Sequence, residues 1–173
     1  MIKSILYIFV LLSITTCQLN ADTTLKANLT CIDYSDVRTL EGNSIAPVVL
    51  NGTKLLLLGA YYKCNKPRLG EVVLYRWGNN INLAKIIKAQ EGDLLEIKKL
   101  KNKYQLYINK KPLFNSLGES YSFKERKSFG VLTLSTGVIP KNRLLLLGES
   151  IRSSYDSKKF GLVSIDSLSM IEV

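Results

Sequence analysis

The chain has 173 residues, 46% hydrophobic and 22% charged, a size and balance that suit one globular domain with a real core. Twenty-four Lys and Arg against fourteen Asp and Glu give a net charge of +10, which suits nucleic acid, anionic lipid or an acidic partner. Histidine is absent, so a Ser-His-Asp triad is excluded and a zinc site is not expected.

The chain opens with Lys3 and an apolar run, Ile5 to Leu12, followed by the polar residues Thr15, Thr16, Gln18 and Asn20. That run is too short for a comfortable spanning helix and has the size of a signal-peptide core. Residues 1–21 are therefore read as a signal peptide or short membrane anchor, with Ala21 before the cleavage point and Cys17 in a weak lipoprotein-like context. Each reading exports the rest of the chain, 22–173, as one domain on the outer, periplasmic side of a membrane. Cys31 and Cys64 then stand where disulfides persist, either as a pair or as two buried thiols. Their spacing is no metal signature.

After this segment the pattern is β. Val48-Val49-Leu50 leads to a turn at Asn51-Gly52, then Leu55 to Leu58 ends at Gly59. Glu71 to Arg76 follows the break at Pro67 and Gly70, and Asn79-Asn80 marks another turn. Leu83 to Ala89, Leu94 to Ile97 and the alternating Tyr104 to Ile108 come next, the last reaching a hairpin turn at Asn109-Lys110. Val131 to Leu134 and Arg143 to Leu147 complete the set. Short strands with frequent Gly and Asn punctuation predict a mainly β, antiparallel domain. Lys98, Lys99, Lys101, Lys103, Lys110, Lys111, Lys124, Arg126 and Lys127 are spread out and build no basic helix. A membrane surface is expected as partner, and nucleic acid is not.

The chemistry points to two residues. Ser44 lies in Gly42-Asn43-Ser44-Ile45-Ala46-Pro47, and Lys85 heads Lys85-Ile86-Ile87-Lys88-Ala89. A serine hydroxyl needs a base to take its proton. Without imidazole, a lysine amine can do this if burial lowers its pKa, and Ile86 and Ile87 supply an apolar setting. Gly42 permits a close-approach turn and Pro47 fixes the chain after it. Taken alone, Ser44 reads as an ordinary loop serine and Lys85 as a solvent-facing strand residue.

Five segments in order resemble the signal peptidase I family. Gly42 to Pro47 resembles its G-x-S-M-x-P box, and Leu69 to Arg76 its R-G-D-I-V-V-F segment. Ala84-Lys85 through Gly92-Asp93 is similar to K-R-x-x-G-x-P-G-D, and Tyr107 to Leu113 to the Y-I-N-G-K-P-L hairpin. Gly148 to Gly161 resembles G-D-N-x-x-x-S-x-D-S-R-x-W-G. The resemblance implies a coiled antiparallel fold shared with LexA-like proteins and a serine endopeptidase without cofactor or metal. It implies Ser44 as nucleophile, Lys85 as general base, Ser154 as the hydroxyl that orients the lysine, and Asp156 with Lys158 as a brace. The backbone N–H of Ser44 would hold the oxyanion, since Gly42 offers no hydroxyl, and Ile45 and Pro47 would line the substrate pocket. The implied substrate is an exported precursor carrying a signal or leader peptide. Chain length is similar to the TraF-type conjugative branch, which implies a pilin precursor. The alternative is a catalytically impaired relative used as an assembly or binding module. A LexA-type repressor would need a DNA-binding region where the leader stands. Departures from the pattern are Ile45 for Met, Glu149-Ser150 for Asp-Asn, Lys158 for Arg and Glu91 for Pro.

Overall fold

The computed structural model describes residues 28–78 and 81–172. The expected leader over 1–21, Cys17 within it and the turn at Asn79-Asn80 lie outside the described residues.

Among the described residues twelve strands form in chain order: β1 (Ser35–Thr39), β2 (Lys54–Leu58), β3 (Val72–Trp77), β4 (Ile81–Gln90), β5 (Leu94–Lys99), β6 (Tyr104–Ile108), β7 (Lys111–Pro112), β8 (Ser122–Phe123), β9 (Gly137–Val138), β10 (Arg143–Leu147), β11 (Val163–Ser164) and β12 (Leu168–Glu172). One helical turn, α1 (Ser157–Phe160), separates β10 from β11. The larger sheet runs β1-β2-β12-β3-β4-β10-β11, and the smaller runs β7-β6-β5-β9 with β8 also paired to β6. Every pairing within these sheets is antiparallel. The fold is mainly β, as the punctuation of the sequence predicts.

The leucine runs are strands buried on both faces. On β10, Leu145 and Leu147 enter a core shared with Leu95, Leu106, Tyr121 and Phe129. Leu144 and Leu146 enter a second core with Val73, Ile87 and Leu168 on the opposite face. Burying such a side chain contributes roughly 1.5–3 kcal/mol, so β10 fastens two cores at once. A third core, around Ile45, Leu55, Leu57, Val72 and Ile86, lies under the loop that carries Ser44.

The Asn109-Lys110 turn is a two-residue hairpin loop with φ of +50° and +66°, the left-handed geometry that matches strand twist. Asn109 is suited to it because its side chain also accepts from Leu94 N–H at 2.8 Å and donates to Asp93 at 2.7 Å.

Two expected strands are not strands. Val48 to Leu50 belongs to a turn, because only Val49 points inward while Val48 and Leu50 are exposed. Val131 to Leu134 lies in the 310 stretch Arg126–Leu134, where Phe129 and Leu132, three residues apart, are the buried pair. Gly130 breaks that stretch at φ +54°, and a Cβ there would come 2.1 Å from the Lys158 carbonyl oxygen. Conversely, β1 and β12 form without having been predicted. β1 is a mostly exposed edge strand, and Ser169 and Met170 of β12 are only half-buried, so neither shows an apolar run.

Candidate active site

Ser44 is carried by the loop between β1 and β2. Leu40 N–H bonds Thr53 O at 2.8 Å and Gly52 N–H bonds Leu40 O at 2.9 Å, closing the base of the loop. The Asn51 side chain accepts from Gly42 N–H at 2.9 Å, and Gly42 takes φ +89°, a conformation that favours glycine. Leu40, Ile45 and Val49 anchor the loop in the core beneath. Ile45 is fully buried, so its side chain fills that core and is not part of an open pocket surface; Pro47 is exposed.

Lys85 projects from the middle of β4 and is almost wholly buried, at 2% exposure. Its Nζ donates to Ser44 Oγ at 3.1 Å and to the Ala84 carbonyl at 2.7 Å. Burial lowers its pKa from 10.5 to about 8; the Asp156 carboxylate pulls the other way, and the Lys158 ammonium reinforces the drop. The lysine is thereby poised to hold or release a proton near neutral pH.

The 148–158 segment closes the site from the far side. Ser150 N–H donates to Ser44 O at 3.2 Å, and Ser150 Oγ donates to Asn43 O at 3.1 Å. Gly148 sits so tightly that a Cβ would fall 2.1 Å from Ser154 Oγ and 2.6 Å from Ser44 O. Its own N–H donates to Asp156 at 3.1 Å, and its carbonyl accepts from the buried Tyr121 hydroxyl at 2.9 Å. Glu149 is buried against Lys88 at 2.7 Å and accepts from Ser116 N–H at 2.5 Å. Burial opposes its charge, yet the bonds from Lys88 and Ser116 hold its pKa below the ordinary value.

Asp156 is fully buried, caps α1 by accepting from Lys158 N–H at 3.0 Å, and pairs with Lys158 Nζ at 2.5 Å. Burial still lowers the Lys158 pKa against that attraction. Ser154 is brought beside Gly148 and Ser44, but its buried Oγ has no hydrogen-bond partner among the described residues. The bond from Ser154 to the lysine that the resemblance implies is thus not made here, and the Lys85 amine bonds Ser44 and Ala84.

Cys31 and Cys64 are joined as a disulfide with Cα atoms 5.8 Å apart, tying together the 310 turns Leu29–Cys31 and Tyr61–Lys63. The residues that sequence reasoning missed are Gly148, Ser150 and the Lys88–Glu149 pair. In the sequence Gly148 is only the first residue of a family-like segment and Glu149-Ser150 are only departures from it, with nothing to say which loop they would meet.

An antiparallel β domain that sets a serine hydroxyl against a buried lysine has the architecture of peptidases that work without imidazole. The chain belongs to the signal peptidase family: the model of "Signal peptidase, peptidase S26" matches residues 8–170. It is 28% identical to signal peptidase IB of Staphylococcus aureus (strain COL) over 145 residues, 75% of this chain and 71% of that protein. It is 24% identical to the inactive signal peptidase IA of the same strain over 124 residues, 72% of this chain and 68% of that protein. Among the described residues no helix is long and apolar enough to cross a membrane.

Proposed function

We propose that the chain is a membrane-associated serine endopeptidase that removes signal or leader peptides from an exported precursor, with Ser44 as nucleophile and Lys85 as general base. The carrying observation is the 3.1 Å contact between Lys85 Nζ and Ser44 Oγ, with the amine buried and its pKa brought to about 8. Neutral Lys85 takes the Ser44 proton as Oγ attacks the scissile carbonyl carbon. The resulting ammonium gives that proton to the departing amine, leaving the leader as an ester on Ser44. Water then attacks the ester with Lys85 again as base, which frees the leader with a carboxyl terminus and restores the hydroxyl.

Ser44 N–H donates to no group among the described residues and is the donor offered to the oxyanion. An extended substrate fits the open edge of β4: Ile81 to Lys85 pair with β3 on one side, while β10 begins pairing only at Ile86. Main-chain bonds along that edge would bind the precursor independently of most of its side chains. Asp156 and Lys158 brace the turn below the lysine. Small residues at −1 and −3 of the precursor follow from the family, and a conjugative pilin precursor is the substrate favoured by chain size.

The second reading is a non-catalytic assembly module. It is favoured by the unpartnered Ser154 hydroxyl and by a relative that bears the word inactive in its name.

The test is cleavage of a fluorogenic precursor peptide by the full chain in mild detergent. Ser44→Ala and Lys85→Met are each expected to lower kcat/KM on the order of 10⁴-fold or more. Wild-type activity is expected to rise with pH through a midpoint near 8, the pKa of Lys85. Wild-type rates from either variant, or no cleavage by the parent chain, would favour the assembly module.

A further inference from the structure

The lysines that are scattered in sequence converge in space. The β5–β6 turn brings Lys99, Lys101 and Lys103 to one concavity of about 490 Å³, and the segment after β8 brings Lys124, Arg126 and Lys127 to its other wall. One acid, Glu125, lines the same concavity, and it is engaged by Lys127 at 2.7 Å. Six cations against one carboxylate account for half of the chain's net charge of +10. The 310 stretch that begins with Arg126 ends in Leu134, whose side chain is 85% exposed, with Val131 also exposed one turn before it. The Arg126 guanidinium donates to the Thr133 carbonyl at 3.4 Å, so the basic wall and the apolar tip are neighbours.

We infer that this surface is a docking site for the anionic phospholipid headgroups of a bilayer. Five of the six cations are lysines, compact point charges suited to a diffuse negative surface; bidentate recognition of a single phosphate would favour arginine. Tyr104 is the lone aromatic residue of the lining, too little to form the stacking platform of a single-stranded nucleic-acid site. An exposed leucine beside a lysine cluster matches a surface that enters the headgroup layer while its charges rest on the phosphates. The concavity gives the domain a second membrane contact besides the apolar run at Ile5 to Leu12. The inference rests on the reading that the chain works at a membrane, and its readout does not involve cleavage.

The experiment is vesicle flotation of the full chain with phosphatidylcholine vesicles and with vesicles containing 30 mol% phosphatidylglycerol, at low and high salt. Each surface cation contributes about five-fold in affinity for an anionic membrane. The charge reversal K101E/K103E/K124E/R126E removes four such cations and is therefore expected to reduce the preference for anionic vesicles at least about 600-fold. High salt is expected to remove the same preference. A control reversal elsewhere, K54E/K66E/K111E/K141E, makes the same change in net charge and is expected to retain most of it. An equal loss in both variants, or no loss in the first, overturns the inference. So does a stronger, equally variant-sensitive retention of single-stranded RNA or poly-glutamate. Ser44→Ala is expected to float like the parent chain, so an inactive enzyme would leave this result standing.

Discussion

Lys85→Met is the substitution whose energetic effect the structure defines most closely. In the folded chain the lysine pKa is lowered from 10.5 to about 8, chiefly by burial. At 1.36 kcal/mol for each tenfold change in proton affinity, holding the ammonium in the fold costs about 3 kcal/mol at neutral pH. The sign is fixed by where the proton sits. Below pH 8 both folded and unfolded chains carry it, and the fold bears the full cost. Between pH 8 and 10.5 the folded chain has released it while the unfolded chain still holds it, so stability rises with pH. Above 10.5 both amines are neutral and the cost is gone. Methionine has nearly the same length and no charge, so it removes this dependence. The assay is equilibrium denaturation of the full chain in mild detergent, disulfide intact, for wild type and variant at intervals from pH 7 to 11. The variant is expected to gain most relative to wild type at neutral pH. Its advantage should shrink by about 3 kcal/mol as pH rises through the 8 to 10.5 window. Groups that do not interact with Lys85 contribute equally to both proteins and drop out of the difference, whereas Lys158, whose ammonium repels that of Lys85, is itself eased by the substitution. A difference that stays constant across that window would refute the claim that Lys85 is a desolvated amine, and the proposed base with it.

Two further predictions concern the groups around the lysine. Gly148→Ala places a Cβ 2.1 Å from Ser154 Oγ and 2.6 Å from the Ser44 carbonyl oxygen, so the loop must move; cleavage is expected to fall more than tenfold, and trimming the opposing group in the Gly148→Ala/Ser154→Gly double variant should recover part of it. An unchanged rate in the single variant would show that this close packing does not set the position of Ser44. Asp156→Ala leaves the Lys158 ammonium buried without its 2.5 Å partner and frees Gly148 N–H, which is expected to cost about 3–5 kcal/mol in denaturant titrations, whereas an exposed pair such as Arg38–Asp36 should cost under about 1 kcal/mol.

The parts of this molecule that sequence reveals are those dictated by local rules. Leu144 to Leu147 reads as a strand because Gly148 ends it, and the fold then buries both of its faces. Asn109-Lys110 reads as a turn because asparagine tolerates positive φ, which both residues adopt. Val131 to Leu134 misleads because a short apolar run is ambiguous; the spacing of the buried Phe129 and Leu132 and the break at Gly130, which packs against the Lys158 carbonyl, decide it. The candidate site divides along the same line. Ser44 and Lys85 could be paired from the absence of histidine, because that argument concerns what chemistry is available and not where chains cross. Gly148 and Ser150 could not, because their importance lies in a crossing between segments about a hundred residues apart. The lysine cluster is the clearest case: read along the chain it is dispersed charge, and only the pairing of β5 with β6 and the path after β8 turn it into a surface. Charge that is unremarkable in order along the chain therefore becomes directional once the sheet is formed.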